Sequence, residues 1–270
     1  MKIAMGVFDG VHLGHIKVIE RAHKVLTFHP HPNKGVHLLT TVAERKELIN
    51  NLEVVKFSNK LGSLTPEEFV RDFLVKKYKP EVVCVGDDFA FGYNRSGNVE
   101  TLKKLGEKHG FQIEVTPEVD IGGKPVRSSR IRILLGKGKV EEAAQLLGRD
   151  YKISGKVIHG RGIGKKLGFP TANIKTDKDK LIPKPGVYAG KIIVNNQLFP
   201  CAISIGEQST FGGHHIEIEA YIFNFKHNIY RKKVTFFFEK FIRLQRKFKD
   251  KKALQKQIAQ DIKKIKNLVK

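Results

Sequence analysis

The chain has 270 residues, 40% of them hydrophobic and 29% charged, with 50 Lys plus Arg against 27 Asp plus Glu and a formal net charge of +23. That length predicts two domains at the usual size of roughly 150 residues each, and no apolar run approaches the ~20 residues a membrane-spanning helix needs. The charge suits phosphorylated ligands, nucleic acid or anionic lipid, but no nucleic-acid-binding motif or basic-aromatic interleaving accompanies it, so a solvated lysine-rich surface is expected and nucleic acid is not.

Met1 and Lys2 lead directly into a strand-like IAMGVF without an apolar signal core, so the expected location is the cytoplasm. The only cysteines, Cys84 in VVCVG and Cys201 in FPCAI, have neither a nearby partner nor metal-ligand spacing and read as reduced core residues. Short apolar runs then alternate with helical segments, the pattern of an α/β domain with a parallel sheet; the strand candidates are Ile3–Val7, Val25–Phe28, Val54–Phe57, Val82–Val85 and Gln112–Thr116. Thr41 and Thr65 each precede a glutamate by three residues, Glu44 and Glu68, predicting capping boxes, and Pro66 suits a first helical turn.

A short helix is expected from Ser128 through RIRILL, and another over Lys139–Leu147 that stops at Gly148. The rhythm then changes. KISGKVI, GVYAGKIIV, LFPCAISI, IEIEAYIFNF and VTFFFEKF read as strands of an antiparallel β domain, with Asn195-Asn196 placed as a hairpin turn and a barrel as the expected closure. Leu254, Ile258, Ile262, Ile265 and Val269 then recur at helical spacing. The domain boundary falls at 148/149, giving domains 1–148 and 149–270.

Two segments carry chemistry. In GVFDGVHLGH a strand runs into glycines, and His12 and His15 follow where a helix should begin. Gly6 and Gly10 let the backbone turn sharply and approach a phosphate, and the histidines can donate to charge building on an α-phosphate. Zinc is disfavoured, since two histidines lack further ligands at useful spacing. In the β half, GRGIGKKLGFPTAN fits neither the Walker nor the dinucleotide-fold spacing and alone reads as a loop with basic residues, Lys165 and Lys166. Thr171 and Asn173 offer hard oxygen atoms of the kind Mg²⁺ prefers. Glu217 and Glu219 lie on the same face of an alternating strand, so spacing leaves open which would serve as a base.

GVFDGVHLGH looks like the HxGH nucleotidyltransferase signature. With TFHPHP at 27–32, VGDDFAFG at 85–92, RSSRIR at 127–132 and the PTAN segment, nearly the whole chain resembles the bacterial bifunctional riboflavin kinase/FAD synthetase family. The resemblance implies a Rossmann-like nucleotidyltransferase domain followed by a riboflavin kinase-like β-barrel closed by a C-terminal helix. It implies that ATP phosphorylates riboflavin to FMN in the second domain, and that Mg-ATP adenylylates FMN to FAD in the first. By the same resemblance His12 and His15 contact ATP phosphates, with Gly6, Phe8, Asp9 and Gly10 beside them and Ser128, Ser129 and Arg132 closing from the far side. Asp87, Asp88 and Phe89 lie by the flavin or nucleotide. Gly160, Gly162, Gly168 and Pro170 bind ATP in the kinase half, Thr171 and Asn173 hold Mg²⁺, and the family pattern puts the base at Glu219.

The chain departs from that family in a shorter stretch between Arg21 and Val25, and at Arg127, Arg161, Gln208-Ser209 and Gln245, where other residue types are common. A kinase whose adenylylating half is impaired is therefore the alternative, and a basic nucleic-acid-binding protein on the same scaffold a more remote one.

Overall fold

The structure is a computed structural model that describes residues 1–210 and 213–268, with the side chains of 207–210 and 213–215 also outside the description. The chain divides into two compact units, Met1–Ser128 and Ser129–Lys270.

The first unit is built on five parallel strands, β1 (Lys2–Met5), β2 (Lys24–His29), β3 (Leu52–Lys56), β4 (Val82–Gly86) and β5 (Gln112–Thr116), in the order β3-β2-β1-β4-β5. Alternation in the strands sends side chains to opposite faces. Ile3, Met5, Leu26, Phe28, Val83 and Val85 join one buried cluster, whereas Ala4, Val25 and Cys84 join another. Helices cover both. Val18 from α1 (Leu13–Ile19) and Ile49, just after α2 (Val42–Leu48), complete the second cluster. The first is completed by Leu102 and Leu105 of α6 (Val99–His109) and by a continuous helix formed of α4 (Pro66–Glu68), a π-helical stretch Phe69–Val75 and α5 (Lys76–Tyr78). The one-turn α3 (Asn59–Gly62) lies just before it. Both predicted capping boxes form, at Thr41 with Glu44 and at Thr65 with Glu68, with Pro66 in the first turn.

The shortened connection after Arg21 does not disturb the sheet. Ala22 and His23 turn the chain back through bonds to the carbonyls of Ile19 and Lys2, and β2 pairs with β1 in parallel, Ile3 opposite Lys24 and Met5 opposite Leu26.

The second unit opens with α7 (Ser128–Gly136), whose first residue lies in the first unit, and α8 (Val140–Leu147), which ends at Gly148 in a left-handed cap. Next comes a closed barrel of β6 (Tyr151–Ile158), β7 (Ala172–Thr176), β8 (Gly186–Val194), β9 (Gln197–Thr210), β10 (Gly213–Ile222) and β11 (Lys233–Arg243), in the order β10-β7-β6-β11-β8-β9 with every pair antiparallel. β7, the strand within ANIKT, is one the sequence pattern did not mark. Asn195 and Asn196 both take positive φ, 49° and 63°, the signature of a two-residue hairpin turn between β8 and β9. In β11 Val234, Phe236 and Phe238 are buried, alternating with more open neighbours.

Between β6 and β7 the loop expected at Gly160–Asn173 contains a one-turn helix, α9 (Ile163–Lys166). The chain ends on α10 (Lys251–Lys266), whose Ile262 and Ile265 bury against Val187, Ala189 and Phe223. Val269 of the expected apolar face lies outside the described residues. Arg243 holds the buried Asp261 of α10 through a fork, with Nη2–Oδ2 at 2.7 Å and Nε–Oδ2 at 3.0 Å.

Candidate active sites

In the parallel sheet the chain runs from β1 to β2 and β3 on one side, then crosses to β4 and β5 on the other. Between β1 and β4 the strand order reverses, and in open α/β sheets ligands bind outside the carboxyl ends of the strands at such a point. The segments leaving β1 and β4 there are GVFDGVHLGH and DDFAFG.

The first segment is tightly specified. Gly6 donates to the Leu26 carbonyl at 3.1 Å, and a Cβ on it would meet the Phe8 ring at 3.0 Å. Gly10 has φ 93°, and Phe8 and Val11 adopt φ 49° and 43° although neither is glycine. His12 caps α1, accepting at Nδ1 from the His15 backbone N–H at 3.3 Å. A ring nitrogen that accepts carries no proton, so in the neutral ring the proton lies on Nε2. The His12 and His15 rings stack at 3.6 Å, and Phe8 packs edge-on against His15 at 5.3 Å.

Asp9 is buried, and its carboxylate accepts from Leu39 N (3.0 Å), Thr40 N (2.9 Å) and the Thr40 hydroxyl (3.2 Å), while Thr40 accepts from Gly10 N at 2.8 Å. Its carboxylate thus ties the loop to residues 39–40. Ser128 is the first residue of α7 and donates its hydroxyl to the Asp9 carbonyl at 2.7 Å. Ser129 and Arg132 follow in the same helix. Asp87 accepts at its carboxylate from Glu118 N at 3.1 Å, and Phe89 stacks on Phe91 at 5.6 Å, while Asp88 is exposed.

One buried polar group beside this segment was not legible in the sequence. Arg45, in ERKEL of α2, is 1% exposed and donates through Nη1 to the Val7 carbonyl (2.9 Å) and the Thr27 hydroxyl (2.8 Å). Burial pushes its guanidinium below the ordinary value, an effect the Asp9 charge opposes.

The second candidate site lies on the barrel. Register places Glu219 of β10 opposite Asn173 of β7, and the Thr171 hydroxyl donates to Glu219 Oε2 at 2.6 Å. Glu217 lies instead near Arg161, at 3.5 Å. Pairing thus separates the two glutamates that alternation left equivalent. The preceding loop packs down on these residues. A Cβ on Gly160 would lie 2.3 Å from the Asn173 amide nitrogen, and one on Gly164 would be 2.4 Å from the Phe169 carbonyl and 3.3 Å from the Thr171 hydroxyl. Gly162 and Gly168 adopt φ 69° and 87°, and Pro170 is exposed, as are Lys165 and Lys166.

The departures from the family pattern are absorbed locally where their side chains are described. Arg127 pairs with Glu118, Arg161 with Glu217, and Gln245 donates to the Ser204 hydroxyl at 2.9 Å and the Ile205 carbonyl at 3.2 Å. The side chains of Gln208 and Ser209 lie outside the description.

An FAD synthetase family model matches residues 1–130 and a riboflavin kinase family model residues 147–269. A bifunctional riboflavin kinase/FMN adenylyltransferase of Buchnera aphidicola is 35% identical, over 98% of this chain and 92% of that one. The chain belongs to the bifunctional riboflavin kinase/FMN adenylyltransferase family. Members from Listeria monocytogenes and Bacillus subtilis are 36% and 37% identical, each over 96% of this chain and 89% of theirs. A crystal structure from Streptococcus pneumoniae, described as a macrolide-efflux protein, is 28% identical and superposes with a TM-score of 0.88 over 98% of this chain and 93% of that one. Among the described residues no helix is long and apolar enough to cross a membrane.

Proposed function

We propose that the chain performs two successive ATP-dependent steps at two separate sites, making FMN from riboflavin on the barrel and FAD from FMN at the parallel sheet. The functional division falls at 148/149, between α8 and the barrel. The observation that carries this reading is the 2.6 Å bond from Thr171 to Glu219 beside Asn173, a phosphoryl-transfer constellation in a unit distinct from the one holding His12 and His15.

On the barrel, the riboflavin 5′-hydroxyl oxygen attacks the γ-phosphorus of ATP, its bond to the β-bridging oxygen breaks, and ADP leaves. Glu219 accepts the hydroxyl proton. Thr171, Asn173 and Glu219 are hard oxygen donors, a set that fits Mg²⁺, and Gly160, by lacking a Cβ, leaves the Asn173 amide its place. Thr171 and Asn173 would hold the ion, which when bound neutralises phosphate charge. Gly160, Gly162, Gly168 and Pro170 shape the loop that covers the nucleotide.

At the sheet, a phosphate oxygen of FMN attacks the α-phosphorus of a second ATP and pyrophosphate leaves. No protein nucleophile is required. His12 and His15 donate to the oxygens on which charge builds, Gly6, Phe8, Asp9 and Gly10 shape the loop that carries them, and Ser128, Ser129 and Arg132 contribute from α7. Asp87, Asp88 and Phe89, across the switch point, line the flavin side. The cytoplasm is the proposed location, in keeping with two free, buried cysteines.

Incubation of the protein with riboflavin, ATP and Mg²⁺, followed by chromatographic separation of flavins, tests this reading. FMN is expected first and FAD after it. FMN that never proceeds to FAD, even when supplied directly, contradicts the second step.

A further inference from the structure

The loop bearing His12 and His15 contains a backbone arrangement that its residue types disfavour. Phe8 (φ 49°) and the β-branched Val11 (φ 43°) both occupy the left-handed region, and such conformations persist only where the surroundings over-determine them. From one side the surroundings are Asp9, fastened to residues 39–40, and Ser128, fastened to the Asp9 carbonyl. From the other they are Arg45. Its Nη1 meets the Val7 carbonyl and the Thr27 hydroxyl, and Thr27 itself donates to the same carbonyl at 2.6 Å, so the Val7–Phe8 peptide is held by a closed triangle.

A residue kept only for packing would not need to be a cation here. Arg45 is buried, its Nε has no hydrogen-bond partner among the described residues, and an apolar side chain of similar volume would avoid the desolvation of a charge. What the guanidinium supplies is one nitrogen, Nη1, that donates both to the Val7 carbonyl of the loop and to the Thr27 hydroxyl, together with a fixed positive charge beside them.

We propose that Arg45 is a positioning residue for adenylyl transfer, holding the Gly6–Val11 turn from beneath so that His12 and His15 are in place before ATP arrives. This rests on reading that loop as the adenylylating site. Preorganised donors act mainly on the transition state, so loss of Arg45 should fall on turnover more than on ATP binding.

The test is steady-state FAD formation from FMN by the full chain carrying Arg45→Met, Arg45→Lys or Thr27→Val, with FMN formation from riboflavin as the internal control and thermal unfolding followed alongside. Arg45→Met is expected to lower kcat for FAD about 100-fold, the scale of a loop misplaced by ~1 Å, with a much smaller change in KM for ATP and no change in FMN formation. Arg45→Lys, which keeps the charge and one donor, should regain about tenfold of that loss, and Thr27→Val should lower kcat about fivefold. Arg45→Met with wild-type kcat and only a lower melting temperature overturns the proposal. Should Arg45→Met not fold, Thr27→Val decides, and an unaltered kcat in that variant overturns it. A wild-type protein that makes no FAD from FMN overturns the site assignment and this proposal together, an outcome distinct from an active wild type with an indifferent Arg45.

Discussion

The two sites are built by different means. At the sheet, His12 and His15 follow a turn whose shape is imposed from outside itself, by Asp9 reaching residues 39–40 and by Arg45 reaching Val7. On the barrel, Thr171, Asn173 and Glu219 stand on or beside paired strands, on the face opposite the buried Ala172, Ile174, Ile218 and Ala220; Thr171 bonds Glu219 directly and Asn173 lies opposite Glu219 in register. Strand register brings Asn173 and Glu219 together, and one side-chain bond adds Thr171. The sheet site needs buried polar contacts between segments about thirty to forty residues apart. The sheet site should therefore be sensitive to residues that never touch a ligand, and the barrel site chiefly to those that do.

Glu219→Gln should give the largest separation of the two activities. Removing a general base costs about 10³-fold, so FMN formation should fall by that factor while FAD formation from supplied FMN persists. His15→Ala is the mirror experiment, with FAD formation expected to fall about 100-fold and FMN formation unchanged. Both are read by flavin chromatography, and equal loss of both activities in either variant contradicts two independent sites. Gly160→Ala comes next. Its new Cβ would collide with the Asn173 amide, so Asn173 must move, and the Mg²⁺ concentration giving half-maximal FMN formation should rise about tenfold. An unchanged Mg²⁺ requirement would remove Asn173 from the proposed metal site.

What the sequence disclosed follows the same division between local and distant causes. The capping boxes, the Asn195-Asn196 turn and the helix stop at Gly148 were legible because each depends on a few adjacent residues. The HxGH and PTAN segments were legible as motifs. Glu219 could not be told from Glu217 by alternation, and the strand that separates them, β7, is only five residues long and follows directly on a glycine-rich loop. The π-helical stretch Phe69–Val75 leaves no compositional mark. Arg45 was missed for a plain reason: a charged residue inside ERKEL reads as solvent-facing, and only tertiary packing buries it.

The smallest expected effect sharpens the comparison most finely, because it separates the helix that carries Arg45 from Arg45 itself. Thr41 caps α2 through Glu44 N at 3.2 Å while Glu44 returns a bond to Thr41 N at 2.9 Å, and Arg45 lies one turn further on. Thr41→Ala removes one of these two bonds and should cost about 1 kcal/mol, lowering the melting temperature of a unit this size by about 4 °C. The triangle of Arg45, Thr27 and the Val7 carbonyl does not involve Thr41. FAD turnover at 25 °C should therefore stay within about twofold of wild type, since a cap lost at this cost leaves the helix folded. If turnover instead collapsed while the melting temperature held, the placement of the whole helix, and not the guanidinium on it, would be what sets the Gly6–Val11 turn.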